Sequence, residues 1–243
     1  MNRKLSLAEL LSNVFSDINE NFQSTLKTYE AGQNVFSPRD PSQMVYCLLQ
    51  GAVKLYRLNH RQTIFIDLLP PDSLFNLTSP QVPNDVQIYQ ARALTEVELL
   101  SLPMPQFWSI VQEHPELMLL VVRELSKRLL QAQEMIEIMI HPSPGFRLLR
   151  FLLILCRNFG VPTSEGIRIE LKLTHRLLAE MTVAHRTTVT SLLNELKRQQ
   201  LISITRKEIT VRSTEGLRKA SELWFREPPY NYIIPGNAEQ NWL

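Results

Sequence analysis

The stretch Leu173-Thr-His-Arg-Leu-Leu-Ala-Glu-Met-Thr-Val-Ala-His-Arg-Thr-Thr-Val-Thr-Ser-Leu-Leu-Asn-Glu-Leu196 reads as two short helices meeting at a tight turn. Its second half opens with a polar and basic run, His185, Arg186, Thr187 and Thr188. Apolar residues follow at Val189, Leu192, Leu193 and Leu196, the spacing of one buried helix face. A helix that buries one side and offers Arg, Thr and Ser on the other fits a DNA major groove.

Reading outward toward the C-terminus, Leu201-Ile-Ser-Ile-Thr and Glu208-Ile-Thr-Val-Arg are separated by Arg206 and Lys207. They predict a small hairpin, the wing of a winged helix-turn-helix. Toward the N-terminus, Phe146–Asn158 has the pattern of an amphipathic helix, followed by a turn and a short strand at Ile167-Arg-Ile-Glu-Leu. His141-Pro-Ser-Pro-Gly145 cannot continue a helix and marks a domain boundary. Before it, Pro115 to Ile140 carries apolar residues at Met118, Val121, Leu125, Ala132, Met135 and Met139, with Arg128 interrupting the seam. Such a stripe either packs on its own β domain or forms a seam between two copies, and its length favours a homodimer. Upstream of Pro105 the pattern changes to short strands broken by Gly, Pro, Asn and Asp, which predicts an all-β sandwich or barrel. Residues 5–29 read as a helical lead.

The expected architecture is therefore α+β. A β-barrel or jelly-roll sensor domain spans 1–112 and a dimerisation helix 113–140. A winged helix-turn-helix spans 146–212 and a C-terminal extension 213–243. Trp224, Tyr230, Tyr232 and Trp242 are too apolar for a solvated tail and are expected to dock on the body or on a protein partner.

Composition narrows the function classes. The 243 residues are 44% hydrophobic and carry a net charge of +2. Residues 1–140 hold 11 Lys/Arg against 15 Asp/Glu, while residues 141–212 hold 12 against 5. A basic module joined to an acidic one implies that only the second meets a polyanion. No run approaches the roughly 18 apolar residues of a membrane span. The N-terminus lacks an export signal, so a cytoplasmic protein without a membrane partner is expected. Cys47 and Cys156 have no Cys or His partner at ligand spacing, which argues against a disulfide framework, a zinc site or an iron–sulfur cluster. No nucleophile–base arrangement, metal motif or phosphate loop suggests an enzyme.

The order of β domain, long helix, Pro/Gly hinge and winged helix resembles the CRP/FNR superfamily of bacterial transcription regulators. Val45-Tyr-Cys-Leu-Leu-Gln-Gly-Ala-Val-Lys-Leu, Leu125-Ser-Lys-Arg-Leu-Leu-Gln, Phe151-Leu-Leu-Ile-Leu-Cys-Arg-Asn-Phe-Gly-Val-Pro and Ile167-Arg-Ile-Glu-Leu-Lys-Leu-Thr-His resemble its NtcA branch, the cyanobacterial nitrogen regulators. The resemblance implies a homodimer on a palindromic double-stranded operator, with RNA polymerase as a partner. It places Arg186 at the main base contact and Ser191 where a second Arg is usual. Thr187, Thr190 and His185 are then within reach of base edges or phosphate, with Thr188 beside them. Lys172, Arg176, Lys197, Arg198, Arg206 and Lys207 are candidates for the DNA backbone. It implies a 2-oxoglutarate pocket at Phe75, Asn76, Leu77, Thr78, Gln87, Arg128 and Gln133. There Asn76 stands for a Gly, Gln87 for an Arg and Gln133 for a Glu, so the pocket departs from the branch. The pairs that hold cyclic AMP are missing between Phe75 and Ala93, and there is no N-terminal Cys cluster. His60 lies in a hairpin turn, so neither cyclic AMP, an iron–sulfur cluster nor haem is expected. Val183 occupies a turn position usually held by Gly. Either the turn differs here or the helix pair is re-angled. An alternative reading is a degenerate member acting mainly as a protein-interaction module, with weak or altered DNA binding and no small-molecule effector.

Overall fold

The computed structural model describes residues 25–37, 44–59, 62–77 and 89–226. The chain divides into two compact units, Met1–Met135 and Ile136–Leu243.

In the first unit, β1 (Thr25–Tyr29), β8 (Val97–Pro103), β3 (Met44–Gln50) and β6 (Ser73–Phe75) form one antiparallel sheet in the order β1-β8-β3-β6. A second sheet has the order β2 (Asn34–Phe36), β7 (Gln90–Ala93), β4 (Val53–Asn59) and β5 (Gln62–Leu69). The result is a jelly-roll-like pair of open sheets rather than a closed barrel. Alternation sends Tyr46, Leu48, Val53, Leu55, Val97 and Leu99 into one shared core. Phe36, Tyr46 and Phe75 stack there, Tyr46 to Phe75 with ring centroids 5.3 Å apart. The opposite side chains of β3 and β8 pack against α1 (Met104–Glu113) through Cys47, Leu100, Leu102, Phe107 and Ile110.

The helical reading of residues 5–29 is corrected at its end: residues 25–29 are a strand. Thr25, Thr28 and Tyr29 suit a pleated surface, and β8 supplies a partner along all five positions. Residues 5–24 lie outside the described ones.

One helix, α2 (Pro115–Ile140), follows His114. Leu117 and Val121 join the core of the β unit, and Glu124 is also buried. Met118, Val122, Leu125, Leu129, Ile136 and Ile140 are exposed, as is Ala132. The solvent-facing apolar seam therefore runs at spacings of three and four, but about one position away from the expected one at Val121 and Arg128. Met135 and Met139 are half-buried.

The second unit begins with α3 (Pro144–Phe159), capped by Ser143, whose hydroxyl accepts from the Phe146 N–H at 3.3 Å. Pro144 sits at the first helical position, where a missing N–H costs no bond. β9 (Gly160–Thr163), β10 (Gly166–Ile169), β11 (Ile202–Thr205) and β12 (Glu208–Val211) form an antiparallel sheet in the order β11-β12-β10-β9. Pro162 is tolerated because β9 is an edge strand. Helices α4 (His175–Thr182) and α5 (Arg186–Arg198) lie between the hairpins in sequence. Helix α6 (Thr214–Arg226) buries Leu217 and Trp224. Gly145 lies under Trp224, where a Cβ would come within 2.6 Å of the indole. The start of the expected extension is thus part of this unit. Tyr230, Tyr232 and Trp242 lie outside the described residues.

Candidate nucleic-acid interface

Helix α4 starts where the Thr174 hydroxyl accepts from the Leu177 N–H at 3.1 Å. It ends at Val183, whose φ of 47° and ψ of 54° are left-handed. The Val183 N–H donates to the Ala179 carbonyl, which closes the last turn. The turn therefore has the geometry that usually selects Gly, with a β-branched residue in it. The turn itself does not differ, because the backbone keeps the left-handed conformation and Val adopts it. Its side chain is 71% exposed and so meets little opposition.

Helix α5 buries Val189, Leu192, Leu193 and Leu196. His185, Arg186, Thr187 and Ser191 are exposed, and Thr188 and Thr190 are half-buried. Asn194, not singled out in the sequence, is exposed three positions after Ser191 and seven after Thr187; that spacing was the signal for it. His185 makes no side-chain cap, so the first N–H groups of α5 point outward beside Arg186. The Thr190 hydroxyl donates to the Arg186 carbonyl at 2.9 Å and lies 2.8 Å from the His175 Nδ1. It is engaged inside the helix pair. The Ser191 hydroxyl likewise turns back to the Thr187 carbonyl, at 3.2 Å.

The wing comes to the same place. Its tip, Arg206 and Lys207, joins Thr205 to Glu208 as a two-residue turn with φ of 49° and 72°. Two positive φ values define the turn that normally takes Asn-Gly. The Leu173 N–H donates to the Lys207 carbonyl at 3.0 Å and ties the tip to the segment before α4. A cleft of about 360 Å³ is lined by Thr174, His175, Arg176, Arg186 and Lys207 with apolar Leu173, Leu193, Ile204 and Ile209 beneath. Arg176 pairs with Glu180 at 3.2 Å, and Arg198 pairs with Glu195 at 2.6 Å. That contact holds the Glu195 carboxyl below its ordinary value. Among the described residues, Arg186, Arg206 and Lys207 enter no ion pair, while Lys172 and Lys197 are exposed.

In the β unit, the expected pocket residues are scattered in role. Phe75 is core, and Thr78 and Gln87 lie outside the described residues. Asn76 takes the Gly position with φ of 59° and donates to the Met44 carbonyl at 2.7 Å. Asn enters the left-handed region at low cost, so the backbone there does not require Gly. Leu77 packs at the edge of the core and Gln133 is exposed. Arg128 donates to the Leu74 carbonyl at 2.9 Å and faces Asp67 at 3.7 Å. Burial nevertheless holds the Asp67 carboxyl above its ordinary value, with Arg128 opposing.

Residues 146–220 match the Crp-like helix-turn-helix domain, and residues 26–114 match the cyclic nucleotide-binding domain. The global nitrogen regulator of Nostoc sp. is 45% identical over 204 residues, which cover 83% of this chain and 92% of that protein. The chain belongs to the CRP/FNR family of transcription regulators, close to the global nitrogen regulators. The global nitrogen regulator of Synechocystis sp. is 42% identical, over 89% of this chain and 98% of that protein. A CooA mutant from Carboxydothermus hydrogenoformans has the same fold, with a TM-score of 0.71 at 20% identity over 91% of this chain and 98% of that one. FixK2 from Bradyrhizobium japonicum scores 0.70 at 17% identity, over 81% and 96%. This regulator is a DNA-binding protein of a family that acts as dimers, and the family is not one of enzymes. Among its described residues no helix is long and apolar enough to cross a membrane.

Proposed function

We propose that this regulator controls nitrogen-responsive genes as a homodimer, reading a palindromic operator with α5 of each copy. The observation that carries the reading is the convergence of Arg186, the uncapped start of α5 and Lys207 of the wing tip around one cleft. Arg186 is the base reader, since a guanidinium matches guanine O6 and N7 with two parallel bonds. Thr187, Ser191 and Asn194 line the face that follows, with His185 and Thr188 at its mouth. Arg176, Lys172, Arg206 and Lys207 meet phosphates, which position the duplex without specifying it. Lys197 and Arg198 stand at the far end of α5, where Arg198 is already held by Glu195. Thr190 supports α5 through His175 rather than reading a base.

The exposed seam Met118, Val122, Leu125, Leu129 and Ile136 meets its copy in the partner helix, and RNA polymerase is the downstream partner. The nitrogen assignment rests on the names of the relatives in Nostoc and Synechocystis. The test is anisotropy titration of Arg186→Ala against the operator that the native protein selects from random duplexes. Specific binding should fall to the level of random DNA while the dimer persists in sedimentation. Retained operator affinity would overturn the reading.

A further inference from the structure

Arg147 is 9% exposed and, among the described residues, pairs with no carboxylate. Its guanidinium is solvated by backbone carbonyls instead. Nε donates to Thr182 at 2.8 Å and Nη2 to Val183 at 3.3 Å. Nη1 donates to His141 and, at 3.2 Å, to Pro142. These four acceptors come from two places. Thr182 and Val183 end α4, the first helix of the reading pair. His141 and Pro142 follow directly on the end of α2. A helix C-terminus leaves carbonyls without intrahelical partners and carries partial negative charge. One cation therefore closes the ends of two helices at once. Burial lowers the Arg147 pKa, so the charge is kept against its desolvation. An apolar side chain in its place would leave these carbonyls without a donor, so the guanidinium ties the two segments to each other.

We propose that Arg147 is the positioning residue that couples the end of the dimer helix to the turn of the DNA-reading pair. It fixes where α4 and α5 stand relative to the residues that end α2. In a dimer this sets the separation and tilt of the two reading helices, and hence the half-site spacing that is accepted. The fork of a guanidinium is needed, since its donors diverge in a fixed plane while an ammonium is a point charge. The first turn of α3 is pinned nearby by Gly145, which lies against Trp224 of α6 and Leu192 of α5. The end of α2 cannot move far without either breaking the four bonds or carrying α4 with it.

The inference rests on the proposed reading of α2 and α5, and the two can fail separately. The experiment compares the native protein, Arg147→Lys and Arg186→Ala on two duplexes. One is the operator selected by the native protein, and the other is the same operator with one base pair inserted between half-sites. The native protein should discriminate against the insertion. Arg147→Lys should reduce that discrimination by roughly tenfold, the scale of one misplaced base contact. The ratio does not depend on the fraction folded, so a merely structural role would leave it unchanged. An unchanged ratio overturns the proposal. Retained operator affinity in Arg186→Ala overturns the underlying reading instead. Hydrogen exchange on the native protein gives a second measurement that needs no variant. The amides of His141 and Ser143 and those at 182–185 should open as one unit, and independent opening of the two segments overturns the coupling.

Discussion

Val183→Gly should make this protein more stable, although it removes a side chain. At φ 47° a β-branched residue carries a left-handed cost of roughly 1–2 kcal/mol. Glycine takes the same backbone without that cost. Its freer unfolded chain returns roughly 0.4–1 kcal/mol of the gain. Little packing is lost, because Val183 is 71% exposed. The bonds through this residue are main-chain: its N–H to Ala179 and its carbonyl from Arg147. Both survive the substitution. The net is a gain of about 0.5–1 kcal/mol, or about 2–6 °C in a unit of about a hundred residues. Thermal unfolding of the full chain, followed by circular dichroism, measures it. Val183→Ala keeps a Cβ in the left-handed region and should gain less. A melting temperature that falls in Val183→Gly would refute the reasoning, because the turn would then be held by the valine side chain rather than despite it.

The wing tip extends the same logic to function. Replacing Arg206-Lys207 with Asn-Gly should stabilise the hairpin by about 1–2 kcal/mol. It should also flatten the salt dependence of DNA binding by about 3–4 in log–log slope per dimer, and an unchanged slope would show that the tip does not meet phosphate. Burial pushes the Cys47 thiol up to about 12 and the Cys156 thiol up to about 11. At pH 8 thiolate is therefore scarce, and iodoacetamide should label neither cysteine until the protein is denatured; rapid native labelling would contradict the burial. Arg128 is already engaged by Asp67 and the Leu74 carbonyl. Calorimetry should show weaker binding of 2-oxoglutarate to the native protein than to Asp67→Ala, and equal affinities would show that Asp67 does not compete for Arg128.

Much of this molecule is legible locally. Val189, Leu192, Leu193 and Leu196 declare the buried face of α5 by spacing alone, and the exposed face follows by subtraction. His141-Pro-Ser-Pro-Gly145 declares the break after α2 because Pro cannot continue a helix. The wing is visible as two alternating runs around a pair of cations. Of the seam expected on α2, Met118, Leu125 and Ala132 are exposed while Val121 is buried, because α2 is apolar on two faces. One face, at Leu117 and Val121, packs on the β unit, and the other, from Met118 to Ile140, is exposed. Periodicity alone cannot say which stripe meets which neighbour. The strand at residues 25–29 was hidden for a related reason, because its partner β8 lies some seventy residues away and supplies the pairing that local pattern lacks.

The sequence by itself determined the parts and their order: a β unit, a long helix, a break, and a helix pair with a wing, with Arg186 at the start of the reading helix. These are consequences of side-chain period and backbone chemistry, which act over a few residues. Only the tertiary structure decided that Val183 accepts a left-handed turn, that Thr190 answers to His175, and that Arg147 closes the ends of two helices. Those outcomes depend on which carbonyls and hydroxyls meet across distances the chain does not spell out. A buried charge shows its purpose only when its partners are known.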